Sequence, residues 1–107
     1  MSDELVVEFD GVDLVTWEAF HQTFSERFGF FDGYGRNMNA WIDCLGYMRI
    51  ATSEQRLSDF HVPTGKTMTI KLTSIERLKK DAPDILTELF ECAAIVNRRE
   101  VEAGEAP

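Results

Sequence analysis

The sequence lacks the residue patterns that mark several large classes of protein. Only two cysteines, Cys44 and Cys92, occur in 107 residues, too few for the disulfide framework of a small secreted protein. No Cys or His spacing matches a zinc site, and no apolar run approaches the roughly 20 residues that a membrane-spanning helix needs. The N-terminal Met-Ser-Asp-Glu is acidic, whereas a secretory signal peptide begins with basic residues. We therefore expect a cytoplasmic protein with no membrane segment, no metal and no cofactor.

Positive charge is scarce as well. The chain has 11 Lys and Arg residues against 19 Asp and Glu residues, a formal net charge of −8. A negative field repels nucleic acid phosphates and attracts cationic surfaces. The charge argues against direct binding of nucleic acid and favours a cationic protein partner. The alternative explanation is that acidity only keeps the protein soluble.

The composition is that of an ordinary globular protein. Hydrophobic residues make up 44% and charged residues 28% of the chain, and no internal repeat or low-complexity segment is present. Because a domain needs roughly 100 residues to bury a core of ordinary size, we expect residues 1–107 to form a single domain.

The first half of the sequence predicts a strand and two helices. The apolar run at residues 5–9 is typical of a strand. Thr16 is a good N-cap and Gly29 a good end for a first helix, whose helical spacing aligns Trp17, Phe20, Phe24 and Phe28. Asn37 is the predicted N-cap of a second helix that ends near Gly46, with an apolar stripe formed by Met38, Trp41, Ile42 and Leu45.

The second half predicts a connection, a strand and two more helices. Residues 49–66 read as a long connection, and residues 67–72 alternate in polarity as a strand does. Residues 73–76 fit a capping box that opens a short helix. Pro83 suits the first turn of a longer helix, which we expect to point Ile85, Leu86, Leu89, Phe90, Ala93 and Val96 inward, with residues 98–107 as a flexible tail.

This order of elements predicts an α/β fold with a small parallel sheet covered by helices. Two strands are few for a sheet. Either a third strand lies within residues 49–66, or the sheet is unusually small.

Motifs for enzymatic chemistry are missing from the sequence. It has no phosphate-binding G-x-x-x-x-G-K-[ST] loop and no G-x-S-x-G elbow. Cys44 with His21 or His61 has the residue types of a nucleophile and its base. However, Cys44 borders an apolar helical face, and His21 lies beside the aromatic stripe, so a core cysteine and a structural hydrogen-bonding histidine are the better interpretations. We expect no catalytic residues, and an enzyme using Cys44 is the weaker alternative.

A candidate binding surface remains. A glycine-containing loop leads into the second helix, on which Asn39 and Asp43 lie away from the apolar stripe. A carboxylate on a rigid helix can occupy a cationic pocket, particularly one lined by Arg. Tyr34 in the loop is a candidate interface anchor, whereas Trp41 belongs to the core. The alternative is a solvated helix face on which Asp43 has no function.

Two segments, Phe20-His21-Gln22-Thr23-Phe24 and residues 34–45, resemble the barstar family of ribonuclease inhibitors. The resemblance implies a three-stranded parallel sheet packed with helices, and an inhibitory surface made by the loop and the second helix. In that family the surface fills the active-site cleft of a basic ribonuclease, and Asp43 matches the central aspartate. The resemblance and the helix pattern together give a predicted partner-binding set of Tyr34, Gly35, Asn37, Asn39, Asp43, Cys44 and Gly46.

The sequence departs from the family pattern at four positions of this surface. Gly33 stands where the family has a second tyrosine, Arg36 where it has glutamate, Asn39 where it has aspartate, and Ile42 where it has tryptophan. Family members usually end in a strand after the last helix, whereas this chain stops at Pro107, so that strand is missing from the sequence. Either this protein has dispensed with the strand or the sequence is cut short.

These observations predict a monomeric, cytoplasmic bacterial immunity protein that inhibits a barnase-type ribonuclease by occluding its active site. The departures favour an alternative in which the same fold is an interaction module with a non-nuclease partner.

Overall fold

The computed structural model describes residues 4–48, 57–63 and 65–102. Within these residues, two strands and four α-helices make up an α/β fold, as the sequence predicted. In chain order they are β1 (Glu4–Asp10), a short 3₁₀ helix (Gly11–Leu14), α1 (Trp17–Phe28), α2 (Met38–Gly46), β2 (Thr67–Thr73), α3 (Ile75–Asp81) and α4 (Pro83–Glu102).

The sheet consists of β1 and β2, which run parallel from the Glu4–Thr67 pair to the Asp10–Thr73 pair. In the part of the chain that the structure describes, it has these two strands, whereas the family resemblance implied three. The predicted third strand within residues 49–66 falls partly on residues 49–56 and 64, which lie outside the described residues. Residues 57–63 form one isolated antiparallel bridge, between Ser58 and Phe30.

Aromatic rings from α1 form the centre of the core. Phe20, Phe24 and Phe28 are almost completely buried, which confirms the predicted stripe. Phe24 stacks on Phe9 of β1 at 4.3 Å between ring centroids. Trp41 of α2 is 0% exposed and meets Phe24 edge to face. Burial of such large rings supplies most of the free energy that holds the sheet against α1 and α2.

Two predictions about α3 and α4 are wrong. The predicted capping box needs Thr73 as its capping residue, but Thr73 belongs to β2 and its hydroxyl donates to the Phe9 carbonyl at 3.4 Å. Ser74, which precedes α3, has a φ of 53° and makes no side-chain cap, so the box does not form. Phe90 is 54% exposed rather than inward. It lies beyond the edge of the face on which Ile85, Leu89 and Cys92 are buried, because five residues from Ile85 turn a helix well past that face.

The last helix is longer than predicted. α4 continues to Glu102, so the predicted tail is corrected over residues 98–102, which are helical, while residues 103–107 lie outside the described residues. Arg and Glu have high helix propensity, and an existing helix elongates at low cost without an apolar contact. The thinning of the apolar pattern after Arg98 therefore marks the end of the buried face and not the end of the helix.

Candidate protein-docking site

Helix α2 is fixed at its start by its capping residue. The Asn37 Oδ1 atom accepts a hydrogen bond from the Ala40 amide at 2.8 Å, as the sequence predicted. The Asn37 Nδ2 group also donates to the Gly35 carbonyl at 3.2 Å. One side chain thereby joins the last turn of the loop to the first turn of the helix.

The outward face of α2 carries Asn39 and Asp43, and both are exposed. Trp41, Cys44 and Leu45 on the other face are buried in the core. Asp43 forms no salt bridge with any residue that the structure describes. Its carboxylate is therefore a solvated negative charge on a rigid support, which an external cation can approach.

The loop at residues 29–37 is held to the rest of the molecule along its backbone. The Phe31 amide donates to the Leu57 carbonyl at 2.8 Å, and the Phe31 carbonyl accepts from the Tyr34 amide at 3.0 Å. The Asp59 amide donates to the Gly29 carbonyl at 2.8 Å. These bonds give the loop a defined shape although it has no regular secondary structure.

Tyr34 attaches the loop to helix α1. Its hydroxyl lies 2.6 Å from Nδ1 of His21, and its ring packs on Phe30 at 4.7 Å between centroids. His21 is 4% exposed, which confirms the predicted structural role for this histidine. Burial lowers the pKa of His21, and the nearby Arg36 guanidinium lowers it further. Burial, with a contribution from the neighbouring Cys44 thiol, raises the pKa of Tyr34, so the phenol keeps its proton.

A second contact between the loop and α1 begins at Arg36. Its guanidinium donates to Oε1 of Gln22, and Nε2 of Gln22 donates to Glu26 at 2.6 Å. Arg36 has a φ of 52°, in the left-handed region that non-glycine residues rarely adopt. This backbone conformation directs the Arg36 side chain along α1, where the amide of Gln22 connects the guanidinium to the carboxylate of Glu26.

The predicted partner-binding residues fall into three groups. The structure places Gly35, Asn37, Asn39, Asp43 and Gly46 at the surface. Tyr34 is half-buried and bonded to His21, so it positions the loop and offers a partner only part of its ring. Cys44 is a correction: it is 0% exposed, and burial raises the pKa of its thiol to about 11. Because Cys44 points into the core, its side chain cannot contact a partner.

Sequence reasoning missed Phe31, which is 43% exposed in the middle of the loop. The neighbouring Phe30 is buried. The sequence does contain one indication of an exposed ring, the pair of adjacent aromatic residues before Asp32 and Gly33. In an extended segment two successive side chains point to opposite sides, so only one of the two rings can face the core.

The described residues contain no group of three or more His, Cys, Asp or Glu side chains that could hold a metal ion. Within the same residues, no helix has both the length and the apolar character that crossing a membrane requires. What the structure brings together here is an exposed carboxylate, exposed polar residues of α2 and an anchored loop.

Comparison with family models identifies a group of proteins that the chain as a whole matches. The family model described as Barstar (barnase inhibitor) matches residues 4–106, nearly the whole chain. This chain belongs to the barstar family. No curated protein and no solved structure matches it. Membership in the barstar family implies a function like that of a barnase inhibitor, which acts by binding a protein and not as an enzyme.

Proposed function

We propose that this protein inhibits a basic, barnase-type ribonuclease by covering its cationic active site with α2 and the preceding loop. The observation that carries the proposal is the solvated carboxylate of Asp43 at the centre of the outward face of α2, on a member of the barstar family. In this role the protein is a cytoplasmic, monomeric immunity protein of a bacterium.

The proposed inhibition rests on charge complementarity. A ribonuclease active site is built to hold RNA phosphates, so it presents cationic groups in a cleft. The Asp43 carboxylate supplies a negative charge in place of a phosphate, and Asn39, one turn earlier, supplies a hydrogen bond. The net charge of −8 accelerates encounter with a basic enzyme at low ionic strength.

The hydrogen bonds that fix the shape of this surface also favour the proposal. The Asn37 cap, the Tyr34–His21 hydrogen bond and the Arg36–Gln22 contact hold the loop before any partner arrives. A preorganised surface loses little conformational entropy on binding, which favours affinity.

The test is inhibition of a barnase-type ribonuclease by the purified protein, at low and at high salt. Asp43→Asn removes the charge and keeps the shape of the side chain. Loss of a buried charge partner costs about 2–5 kcal/mol in such interfaces, so inhibition weakens by at least ~30-fold. Asp84→Asn, a matched change at an exposed carboxylate of α4, leaves inhibition within about 2-fold. Equal inhibition by wild type and Asp43→Asn contradicts the proposal.

A specific observation favours a second candidate function, an interaction module with a non-nuclease partner. The exposed Arg36 places a cation in the loop where the family has an acid, and Asn39 lacks the charge of the family's aspartate. Both changes reduce the negative charge of this surface, and a cationic ribonuclease cleft binds negatively charged groups. Affinity capture from the native cytoplasm separates the candidates: recovery of a basic ribonuclease supports inhibition, and recovery of another protein supports the module.

A further inference from the structure

Phe31 differs from the other phenylalanines around it. Phe28 and Phe30 are 1% and 8% exposed, whereas Phe31 is 43% exposed. Its ring therefore contributes little to the core. An exposed aromatic ring on the loop that leads into α2 has the character of an interface anchor, because aromatic residues supply much of the binding energy at protein interfaces.

The backbone of Phe31 is fixed on both sides. Its amide donates to the Leu57 carbonyl at 2.8 Å, and its carbonyl accepts from the Tyr34 amide at 3.0 Å. The preceding residue, Phe30, is buried and bridges to Ser58. The ring of Phe31 is thus presented from an anchored segment, so a partner that binds it pays little to order the backbone.

Gly33 provides the space in which the Phe31 ring lies. A Cβ atom added at Gly33 would lie 2.5 Å from Cε2 of Phe31, which is closer than two carbon atoms that are not bonded to each other approach. The ring therefore occupies the position that a side chain at residue 33 would take. Where the family pattern has a tyrosine at this position, the present chain supplies an aromatic ring from two residues earlier.

Hydrogen bonds join the loop to α2. The Phe31 carbonyl accepts from the Tyr34 amide at 3.0 Å, and the Asn37 side chain bonds both to the Gly35 carbonyl and to the Ala40 amide. The loop that carries Phe31 is therefore attached to the first turn of α2. An apolar ring and a carboxylate are the two chemically distinct features of this surface.

We propose that Phe31 is the apolar anchor of the docking surface, and that it inserts into an apolar pocket bordering the cationic cleft of the partner protein. This inference rests on the proposed function and adds a requirement to it. The partner must have a hydrophobic pocket beside its phosphate-binding groups, and Phe31 together with Gly33 determines which partners fit.

The test compares substitutions by their effect on the inhibition constant for a barnase-type ribonuclease. Phe31→Ala removes the ring, and inhibition weakens by at least ~10-fold, as expected of a hot-spot aromatic. Phe31→Leu restores part of the loss because it keeps apolar volume. Phe90→Ala is the matched control, since Phe90 is 54% exposed on α4, and it leaves the constant within about 2-fold.

Gly33→Ala tests the geometry. The added methyl displaces the Phe31 ring while every atom of the original side chains remains, so inhibition weakens. In the Phe31→Ala background the same change has a much smaller effect, because no ring is left to displace. Equal effects of Gly33→Ala in the two backgrounds would overturn the role assigned to Gly33.

The two proposals fail in different ways. If the wild type inhibits and Phe31→Ala inhibits equally well, the anchor is wrong and the proposed function stands. If the wild type does not inhibit or bind the ribonuclease, the proposed function fails, and the anchor fails with it. Chemical unfolding of each variant tests whether the fold is retained. We expect that it is, because Phe31 is exposed and contributes little to the core.

Discussion

The buried His21 gives the stability of this protein a defined dependence on pH. Burial is the larger and Arg36 the smaller cause that lowers its pKa below the ordinary value of 6.5. The folded protein therefore holds His21 neutral at a pH at which the unfolded chain binds a proton there. Protonation would also place a positive charge beside Arg36.

The sign and the size of the effect follow from proton linkage. Because the pKa of His21 is lower in the folded state, its contribution to stability is present above pH 6.5 and is lost as pH falls through the folded-state pKa. One group binds at most one additional proton on unfolding. The free energy of unfolding therefore changes by no more than about 1.4 kcal/mol per pH unit from this source.

Urea unfolding between about pH 5 and pH 8, followed by tryptophan fluorescence, measures this dependence. Trp41 is fully buried, so its emission reports loss of the core. We expect the wild-type free energy of unfolding to decrease with falling pH, and His21→Gln to show a smaller slope. A His21→Gln variant whose slope equals that of the wild type would refute the reasoning.

Three further predictions concern the core, the helix cap and the cysteines. Phe24→Ala leaves a cavity in the aromatic core and lowers the free energy of unfolding by about 3–5 kcal/mol; a loss below about 1 kcal/mol in urea unfolding contradicts the packing described. Asn37→Ala removes the bond to the Ala40 amide and costs about 1 kcal/mol, whereas Asn37→Ser keeps most of it; equal stability of the two variants argues against the cap. Burial raises the pKa of both Cys44 and Cys92, so a thiol reagent near neutral pH modifies them far more slowly in the native protein than in urea; rapid native modification contradicts their burial.

Helices α1 and α2 could be predicted from the sequence because their end signals are local. The Thr16 hydroxyl accepts from the Ala19 amide at 3.1 Å, and Gly29 ends α1 with a φ of 62°. Asn37 acts in the same way at α2. A capping side chain and its target lie three residues apart, so the sequence alone contains the whole interaction.

Local sequence patterns gave wrong predictions at positions where tertiary packing determines the structure. Thr73 and Glu76 have the spacing of a capping box, yet Thr73 still belongs to β2, and the chain turns at Ser74 in a left-handed conformation with no side-chain cap. The direction in which a strand must turn onto the next helix depends on the sheet, and no neighbouring residue encodes it. The exposure of Phe90 has a similar origin, since the width of the buried face of α4 depends on what packs against it.

The candidate site was predicted in part. Asp43 and Asn39 could be assigned to the outward face of α2 from helical spacing alone. The contacts that hold the loop could not, because Tyr34 and Arg36 bind residues of α1 that lie 13 and 14 positions away. Phe31 was missed because tertiary packing decides which of two adjacent rings is buried, and it is Phe30 that packs on Phe28 and Tyr34.

The central claim, that the loop and α2 dock on a ribonuclease, is tested most directly by mapping the bound surface. We would titrate the isotope-labelled protein with an inactive barnase-type ribonuclease and follow its backbone amide signals by NMR. The account predicts the largest changes at residues 31–46, with the Asp43 amide among them. Changes centred instead on the groove between β2 and α4, which Met68, Ile70 and Val96 line, would contradict it.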